Sequence, residues 1–313
     1  MILPQRLIPG SRLKVIFPAG PLKGSRNRVR YYNDGISLLE AHFAIEGSRL
    51  LEREADGFAG SDEQRADELN QAWRSDRIHA LIAGRGGYGC LRILNALDFD
   101  AAARSPKALI GFSDITILQA ALYQKLQLIS FSGPMPINLD SAALSRLLPL
   151  LTQPTTGIDL IPEKSKVRIE VLSDGEAEGV LLGGNLFSLV QLIGTGFLPR
   201  LNDAIFFFED INETVDHIDS FLHHLKLAGL LYGVKGVIVG DISWRETEAK
   251  LSARKTNSLI CDRLRTIFRK EIPILFGVPF GHIDKSITIP YGARARLDTK
   301  SRSLTLLQEV TAG

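Results

Sequence analysis

Cysteine is scarce in this sequence, which has only Cys90 and Cys261 among its 313 residues. Two cysteines exclude a disulfide framework of the kind that small secreted domains use, so we expect a cytoplasmic protein. No apolar stretch approaches the ~18 residues that a transmembrane helix needs. Residues 1–12 lack the apolar core, about 7–15 residues long, of a secretory signal. The sequence therefore predicts no membrane association.

An excess of charge of one sign is also missing, since 37 lysines and arginines face 35 aspartates and glutamates. Nucleic-acid binding needs clustered basic charge, so the sequence predicts no nucleic-acid partner. The histidines are scattered, and neither His-x-x-x-His nor Cys-x-x-Cys occurs. Those are common spacings of metal ligands, so we expect neither a metal nor another cofactor.

Short apolar runs alternate with helical patterns in the first half of the chain. Predicted strands fall at 13–17, 49–51, 80–83 and 108–110, and predicted helices at 28–46, 61–75, 90–96 and 115–125. The helix at 61–75 begins with a capping box formed by Ser61 and Gln64. This alternation predicts an α/β domain with a parallel sheet and helices on both faces. Ligands of such sheets bind beyond the carboxyl ends of the strands.

A junction follows, because residues 148–166 contain three prolines and show little periodicity. Beyond it, strand-like pieces dominate, and two helical stretches lie among them at 212–228 and 256–269. The strand-like pieces fall at 167–172, 204–208, 234–239, 274–276, 287–289, 293–297 and 303–307. We therefore predict an N-terminal α/β domain over 1–150, a linker over 151–165 and a smaller, β-rich α+β domain over 166–313.

The segment Gly111-Phe112-Ser113-Asp114 is the most informative one, because it joins an apolar strand to a helical pattern. A serine on a sharp strand-to-helix turn is how several hydrolase folds expose a nucleophilic hydroxyl. The N–H groups at the start of the following helix favour the negative charge that develops during attack. The same tetrapeptide also fits an ordinary helix start with Ser113 as the cap. By itself, the segment leaves both interpretations open.

A glycine-rich segment, Gly84-Arg85-Gly86-Gly87-Tyr88-Gly89, follows the strand predicted at 80–83. It matches the G-x-G-x-x-G pattern of dinucleotide-binding folds. However, it follows the third predicted strand, and Asp98 and Asp100 come only about ten residues later, where the fingerprint needs about 20. A second interpretation is a loop whose backbone N–H groups face a developing oxyanion, and a plain turn is the third.

A serine nucleophile needs a base within hydrogen-bond reach and a group that orients this base. Among the six histidines, His282 has the best setting, because it lies in a loop just after the strand-like residues 274–276. Glu209 stands at the carboxyl end of the apolar run 204–208. A cap for the next helix is an equally simple explanation of Glu209 and Asp210, so both interpretations stay open at this point.

Six short motifs follow one another along the chain: Arg85-Gly86-Gly87-Tyr88-Gly89, Gly111-Phe112-Ser113-Asp114, Phe131-Ser132-Gly133-Pro134-Met135, Gly183-Gly184-Asn185-Leu186, Glu209-Asp210-Ile211-Asn212-Glu213 and Phe280-Gly281-His282. In this order they resemble the LD-carboxypeptidase family of serine peptidases, which also includes the microcin C self-immunity peptidases. The resemblance extends over residues 15–307.

The resemblance implies a metal-free cytoplasmic enzyme with a Ser-Glu-His triad, in which Ser113 is the nucleophile, Glu209 the carboxylate and His282 the base. It implies that the N-terminal domain carries the serine, that the C-terminal domain carries the other two residues, and that the active site lies between them. Family members are commonly homodimers. Their usual substrate is a murein tetrapeptide, cut between the L-centre of a diamino acid and the terminal D-Ala during cell-wall recycling.

The resemblance also implies which groups bind the oxyanion and the substrate. One oxyanion donor is a backbone N–H of the glycine-rich loop, at about Gly87 beside Gly86. The other is the N–H of Asp114, the residue after the nucleophile. Asn185 is expected among the residues that contact the substrate.

The chain departs from the family at several positions near these motifs. After Glu213 the family usually carries an aromatic-Arg pair and then an acid-Arg pair, whereas this chain has Asp216-His217 and Asp219-Ser220. Leu182, before Gly183, stands where the family often has Trp. Arginine is hard to replace in bidentate carboxylate binding, so the substrate is less determined than the reaction. A peptide-nucleotide antibiotic as substrate and a nucleotide-binding protein without catalysis remain the alternatives.

Overall fold

Two β-sheets organise the chain in the computed structural model, which describes residues 1–23, 26–244, 253–268 and 271–313. The strands, numbered in chain order, are β1 (Arg12–Ile16), β2 (Ala44–Glu46), β3 (Ala80–Ala83), β4 (Ala108–Gly111), β5 (Ser130–Ser132), β6 (Glu170–Ser173), β7 (Glu176–Asn185), β8 (Ala204–Glu213), β9 (Gly236–Trp244), β10 (Ile274–Phe276), β11 (Ile289–Tyr291), β12 (Arg294–Asp298) and β13 (Ser303–Leu306). The α-helices are α1 (Arg26–Glu40), α2 (Asp62–Arg74), α3 (Cys90–Ile93), α4 (Phe99–Arg104), α5 (Thr116–Leu126), α6 (Ser141–Thr152), α7 (Glu163–Lys166), α8 (Leu186–Val190), α9 (Val215–Leu227) and α10 (Ala253–Ile267).

The first sheet has the strand order β11-β5-β4-β3-β1-β2. Strands β1 to β5 pair in parallel, and β11 runs antiparallel to β5. Strands β3 and β4 are buried along their whole length, as expected when helices cover both faces of a sheet. The predicted parallel α/β fold is therefore confirmed, and the carboxyl end of β4 leads directly to Ser113.

The helices of the first half follow the prediction closely at α2 and less closely at α1. The capping box of α2 is present, because Ser61 Oγ accepts the N–H of Gln64 and Gln64 Oε1 accepts the N–H of Ser61. The helix predicted over 28–46 is too long, since α1 ends at Glu40 and β2 begins at Ala44. Within the described part of the chain, no helix combines the length and the apolar character that a membrane crossing requires.

The strand predicted at 49–51 is wrong, and these residues form turns instead. Side chains take the backbone donors that a strand would offer to its neighbour. Glu68 Oε1 accepts the N–H of Arg49 at 3.1 Å, and Ser48 Oγ accepts the N–H of Leu50 at 2.9 Å. An apolar run shows the hydrophobicity of a strand, but it does not show which groups satisfy its backbone.

The second sheet has the strand order β13-β12-β7-β8-β9-β10-β6. Its four central strands, β7 to β10, are parallel, and β12, β13 and β6 pair antiparallel at the two sides. The sequence reading missed β7, whose glycines interrupt the apolar pattern. One of them lies directly against β8, because a Cβ at Gly183 would come within 1.7 Å of the Phe207 carbonyl oxygen.

The two helices predicted in this half are present as α9 and α10. Helix α9 begins after Thr214, whose side chain accepts the N–H of His217. Neither Glu209 nor Asp210 caps this helix, so that interpretation is wrong. Arg269, the last residue of the helix predicted over 256–269, lies outside the described residues.

The two sheets belong to two units whose limits differ from the domain boundaries predicted above. The first unit comprises Met1–Thr155, Ile287–Gly292 and Glu309–Gly313, and the second comprises Thr156–Ser286 and Ala293–Gln308. Two late segments thus belong with the first unit rather than with 166–313. Strand β11 extends the first sheet beside β5, and Glu309 pairs with Arg6 at 3.1 Å. The predicted linker is divided between the units.

Candidate active site

Ser113 lies on a sharp turn between β4 and α5. Phe112 is extended, Ser113 has a φ of +64°, and one 3-10 turn over Ser113–Ile115 leads into the helix. A positive φ is uncommon for a residue other than glycine and costs conformational energy, so it marks a constrained site. Ser113 is partly exposed, whereas Phe112 and Asp114 on either side are buried. This is the geometry of a nucleophile elbow.

The helix-cap interpretation of Ser113 is wrong. A capping serine would accept an N–H from the first helical turn with its hydroxyl oxygen. No side-chain cap bond is present at the start of the 3-10 turn or at the start of α5. The strained turn therefore holds a hydroxyl that does not stabilise the helix behind it.

The glycine-rich loop passes directly beside this hydroxyl. A Cβ at Gly86 would lie 3.1 Å from Ser113 Oγ and 3.0 Å from Ser113 Cβ, so a side chain there would crowd the serine. The carbonyl of Gly86 accepts the N–H of Gly20 at 3.2 Å. Gly87 is exposed and has a φ of +124°, a conformation that favours glycine.

Asp98, one of the two acids that follow the glycine-rich segment, has a structural role here. Asp98 accepts the N–H of Ala101 at 2.9 Å as the cap of α4 and also pairs with Arg74. The helix that follows the loop, α3, has only four residues. The loop thus faces the serine rather than forming the start of a long phosphate-binding helix.

Asp114 connects the elbow to the end of the glycine-rich loop. Its side chain is buried, and Oδ2 accepts the N–H of Cys90 at 2.8 Å. Burial raises the pKa of Asp114, although the Cys90 N–H and the charge of Arg65 act in the opposite direction. Burial also raises the pKa of the Cys90 thiol, which disfavours the reactive thiolate.

In the second unit, the buried Glu209 pairs with the partly buried His282. His282 Nδ1 lies 2.6 Å from Glu209 Oε2, and the side chains are 19% and 3% exposed, respectively. Gly281 makes this approach possible, since it has a φ of +107° and a Cβ there would lie 2.9 Å from Glu209 Cβ. Burial lowers the pKa of His282, but the Glu209 carboxylate raises it, and the net shift is upward.

Asn185 and Asp210 lie beside this pair, at the end of β7 and next to Glu209 on β8. Asn185 lies opposite Glu209 in the register of β7 and β8, and its Oδ1 accepts the N–H of Ser188 as the cap of α8. Its Nδ2 donates to Asp210 Oδ1 at 2.9 Å. Burial, together with the charge of Glu209, raises the pKa of Asp210 to about 7. These contacts are internal, and the predicted contact of Asn185 with substrate stays a prediction.

Asp241 is a further acidic residue of this cluster, and the sequence reading missed it. Its N–H binds the carbonyl of Phe280 at 2.9 Å, which anchors the loop of His282. Burial raises the pKa of Asp241, the Ser243 hydroxyl lowers it, and the charge of Glu209 raises it further. Across the described residues, no group of three or more His, Cys, Asp and Glu side chains is arranged to hold a metal ion. Asp241 gave no sequence signal, because an acid after an apolar run is common.

His217, one of the positions that depart from the family pattern, forms a second carboxylate–imidazole pair with Glu213. His217 Nδ1 lies 2.6 Å from Glu213 Oε2, with the histidine 54% exposed. Ser220 is also exposed. This pair has the distance of the Glu209–His282 pair but a solvated histidine.

Comparison with known proteins identifies the family. Residues 13–133 match the LD-carboxypeptidase N-terminal domain, and residues 178–297 match the LD-carboxypeptidase C-terminal domain. The chain therefore belongs to the LD-carboxypeptidase family. It is a serine carboxypeptidase and thus a hydrolase.

Relatives in sequence cover most of the chain. A probable murein peptide carboxypeptidase of Bacillus subtilis is 30% identical over 99% of this chain and 96% of its own length. The murein tetrapeptide carboxypeptidase of Pseudomonas aeruginosa is 30% identical over 77% of this chain and 79% of its own length. The microcin C7 self-immunity protein MccF of Escherichia coli is 27% identical over 80% of each chain.

Solved structures share the whole architecture. The muramoyltetrapeptide carboxypeptidase from Oxalobacter formigenes has a TM-score of 0.77 and 28% identity, over 95% of this chain and 98% of its own. MccF in complex with glutamyl sulfamoyl guanosine has a TM-score of 0.86 over 100% of both chains. Its identity of 22% makes this second likeness one of fold alone.

Proposed function

We propose that this protein cleaves the amide bond between the L-centre of a diamino acid and the terminal D-Ala of murein tetrapeptides, through a Ser113-Glu209-His282 triad and an acyl-enzyme. The 2.6 Å hydrogen bond between His282 Nδ1 and Glu209 Oε2 carries this proposal. A carboxylate on Nδ1 leaves Nε2 as the basic nitrogen, which is the tautomer that a serine nucleophile requires. The names of the murein peptide carboxypeptidases among the relatives support the substrate.

In the proposed reaction, Ser113 Oγ forms a bond with the scissile carbonyl carbon while His282 Nε2 takes the hydroxyl proton. Glu209 stabilises the imidazolium that results. His282 then gives this proton to the amide nitrogen as the C–N bond breaks, and D-Ala leaves. A water molecule attacks the ester, gives a proton to the same imidazole and releases the tripeptide, and Ser113 recovers its proton.

The oxyanion of this reaction would bind to the backbone N–H groups of Gly87 and Asp114. The close approach of Gly86 to Ser113 Oγ supports this role, because the glycine-rich loop leaves room for a carbonyl oxygen beside the serine. Loss of one such donor typically lowers the rate about 10²–10³-fold. From the family resemblance, we further propose that the protein works as a homodimer in the cytoplasm during peptidoglycan recycling.

A second candidate is a peptidase of the same fold that acts on a peptide-nucleotide antibiotic of the microcin C type. The likeness to the MccF self-immunity protein over 80% of the chain favours it. The chemistry would be the same, and only the group that leaves from the acyl carbon would differ. The exchange of two family arginines for His217 and Ser220 keeps this candidate open.

Product analysis distinguishes the two candidates. We expect the wild type to convert a murein tetrapeptide into tripeptide and free D-Ala, and Ser113→Ala to abolish release without unfolding. Ser145→Ala is the matched control, because Ser145 is an exposed serine whose hydroxyl donates to the Ala142 carbonyl of its own helix at 2.8 Å. Release by Ser113→Ala would overturn the triad. No D-Ala from the wild type, but hydrolysis of glutamyl sulfamoyl guanosine, would establish the second candidate instead.

A further inference from the structure

The peptide group between Gly89 and Cys90, at the end of the glycine-rich loop, is held on both of its polar atoms by buried charged side chains. Arg65 Nη1 donates to the Gly89 carbonyl at 3.0 Å, and Asp114 Oδ2 accepts the Cys90 N–H at 2.8 Å. The carbonyl and the N–H belong to one planar unit. Its orientation is therefore determined from two opposite sides.

The charged groups that hold this peptide are removed from solvent. Arg65 is 0% exposed and Asp114 is 2% exposed. Buried charges lose hydration, so a fold that keeps them normally gives them hydrogen-bond partners. Neither side chain takes part in the proposed chemical steps.

Several further contacts hold the guanidinium of Arg65 in place. Its Nη1 also donates to the carbonyl of Pro18 at 2.5 Å, and Nη2 pairs with Asp62. The guanidinium carbon lies 4.9 Å from the centre of the Phe58 ring. Gly89 must be glycine beside it, since a Cβ there would lie 2.7 Å from Arg65 Nη1.

The other end of the loop is also bound within the same unit. The Gly86 carbonyl accepts the N–H of Gly20, so the backbone that faces Ser113 is anchored at Gly86 and again at the Gly89–Cys90 peptide. Between these anchors lie only Gly87 and Tyr88, which are exposed. Asp114 directly follows Ser113, and its side chain therefore links the elbow to this second anchor.

We propose that the side chains of Asp114 and Arg65 are positioning residues of the active site, which set the N–H groups of the glycine-rich loop relative to the Ser113 hydroxyl. The expected effect of these two side chains on catalysis rests on the proposed function. The holding of the loop itself follows from the two hydrogen bonds. Asp114 thus acts twice, through its backbone as an oxyanion donor and through its carboxylate as the anchor of the opposite donor loop.

Substitutions at Asp114 separate positioning from charge. The Cys90 N–H needs an acceptor but no negative charge, so Asp114→Asn retains the anchor and Asp114→Ala removes it. We expect Asp114→Ala to lower kcat about 10²-fold with a KM close to that of the wild type, because misplacement by about 1 Å has an effect of this size. Asp114→Asn should recover most of the loss. Arg65→Lys should lower kcat in the same way, since an ammonium lacks the planar fork of guanidinium.

Lys107→Met is the control for a general loss of stability. Lys107 is a buried cation of the same unit, but it binds the carbonyls of Ala72, Trp73 and Ser75 at 2.7–2.8 Å, away from the loop. We expect it to lower the melting temperature and to leave kcat unchanged well below that temperature. A kcat loss in Asp114→Ala that Lys107→Met reproduces at an equal fall in melting temperature would overturn the positioning role.

Hydrogen exchange of the peptide that spans residues 84–90 tests the anchor without any substrate. We expect faster exchange in Asp114→Ala and Arg65→Lys, and exchange like that of the wild type in Asp114→Asn and Lys107→Met. Unchanged exchange in the first two variants would overturn the inference even if the enzyme is active. If the wild type releases no D-Ala but exchange is faster in Asp114→Ala and Arg65→Lys, the proposed substrate is overturned and the anchor stays supported.

Discussion

Replacement of Glu209 by glutamine tests the carboxylate–imidazole pair most directly. The Glu209 side chain has one oxygen, Oε2, on His282 Nδ1, and its other oxygen, Oε1, is buried without a hydrogen-bond partner among the described residues. An amide has one acceptor and one donor group at these two places. In Glu209→Gln, either the amide oxygen or the NH₂ group therefore faces the histidine.

The contacts of Glu209 predict which of these two groups faces His282. If the amide oxygen of Glu209→Gln faces His282, its NH₂ group is buried at the place where Oε1 now has no partner, and an unsatisfied buried donor costs about 1–3 kcal/mol. If the NH₂ group faces Nδ1, it has an acceptor. His282 then carries its proton on Nε2 and cannot accept one from Ser113. We therefore expect kcat to fall about 10⁴-fold, as when the carboxylate of such a triad becomes an amide.

The pH profile gives a second, independent measurement of the same variant. The Glu209 carboxylate raises the pKa of His282 and burial lowers it, so loss of the carboxylate should move this pKa downward. In the wild type, kcat/KM should rise with pH through a value above the ordinary histidine pKa of about 6.5. In Glu209→Gln, this acid limb should lie at lower pH. Rates of D-Ala release between about pH 5 and 9 locate the acid limb of the wild type and that of Glu209→Gln.

Glu213→Gln is the matched control for this experiment. Glu213 lies on the same strand and pairs with His217 at the same 2.6 Å, but this histidine is exposed. We expect its acid limb to coincide with that of the wild type. A fall in kcat of less than about 10-fold in Glu209→Gln, or an unmoved acid limb, would refute our reasoning about the pair.

Two glycine substitutions make further predictions. In Gly86→Ala, the new methyl group 3.1 Å from Ser113 Oγ should lower kcat about 10-fold with little change in melting temperature. D-Ala release and calorimetry measure the two quantities, and a wild-type rate would contradict the close approach. In Gly281→Ala, the new side chain would stand at a φ of +107° and against Glu209, which should lower the free energy of unfolding by about 1–3 kcal/mol. Urea denaturation measures this loss, and an unchanged midpoint would contradict the packing.

Local patterns in the sequence were enough to predict the first sheet. The strands at 80–83 and 108–110 are short apolar runs followed by helices, and buried parallel strands have this composition. The capping box of α2 depends on two side chains three residues apart, so it is also a local feature. The strand prediction at 49–51 was wrong because the side chain of Glu68, which lies in a later helix, accepts the N–H of Arg49.

The second half of the chain shows where such patterns fail. Strand β7 was missed because its glycines remove the apolar alternation, although they are there to let β8 approach closely. The return of β11 to the first sheet depends on a pairing with β5, more than a hundred residues earlier. Periodicity describes a segment and not its partner, so neither feature could be found in this way.

By itself, the sequence determined the family, through six ordered motifs, and the strand-to-helix position of Ser113. Only the tertiary structure decided that Ser113 is strained and caps no helix, that Glu209 holds His282 rather than capping α9, and that Arg65 and Asp114 hold one peptide of the glycine-rich loop. Arg65 lies near the start of an amphipathic helix, where a charged residue normally faces water. Composition and order along the chain describe covalent neighbours, whereas hydrogen bonds between buried groups depend on neighbours in space.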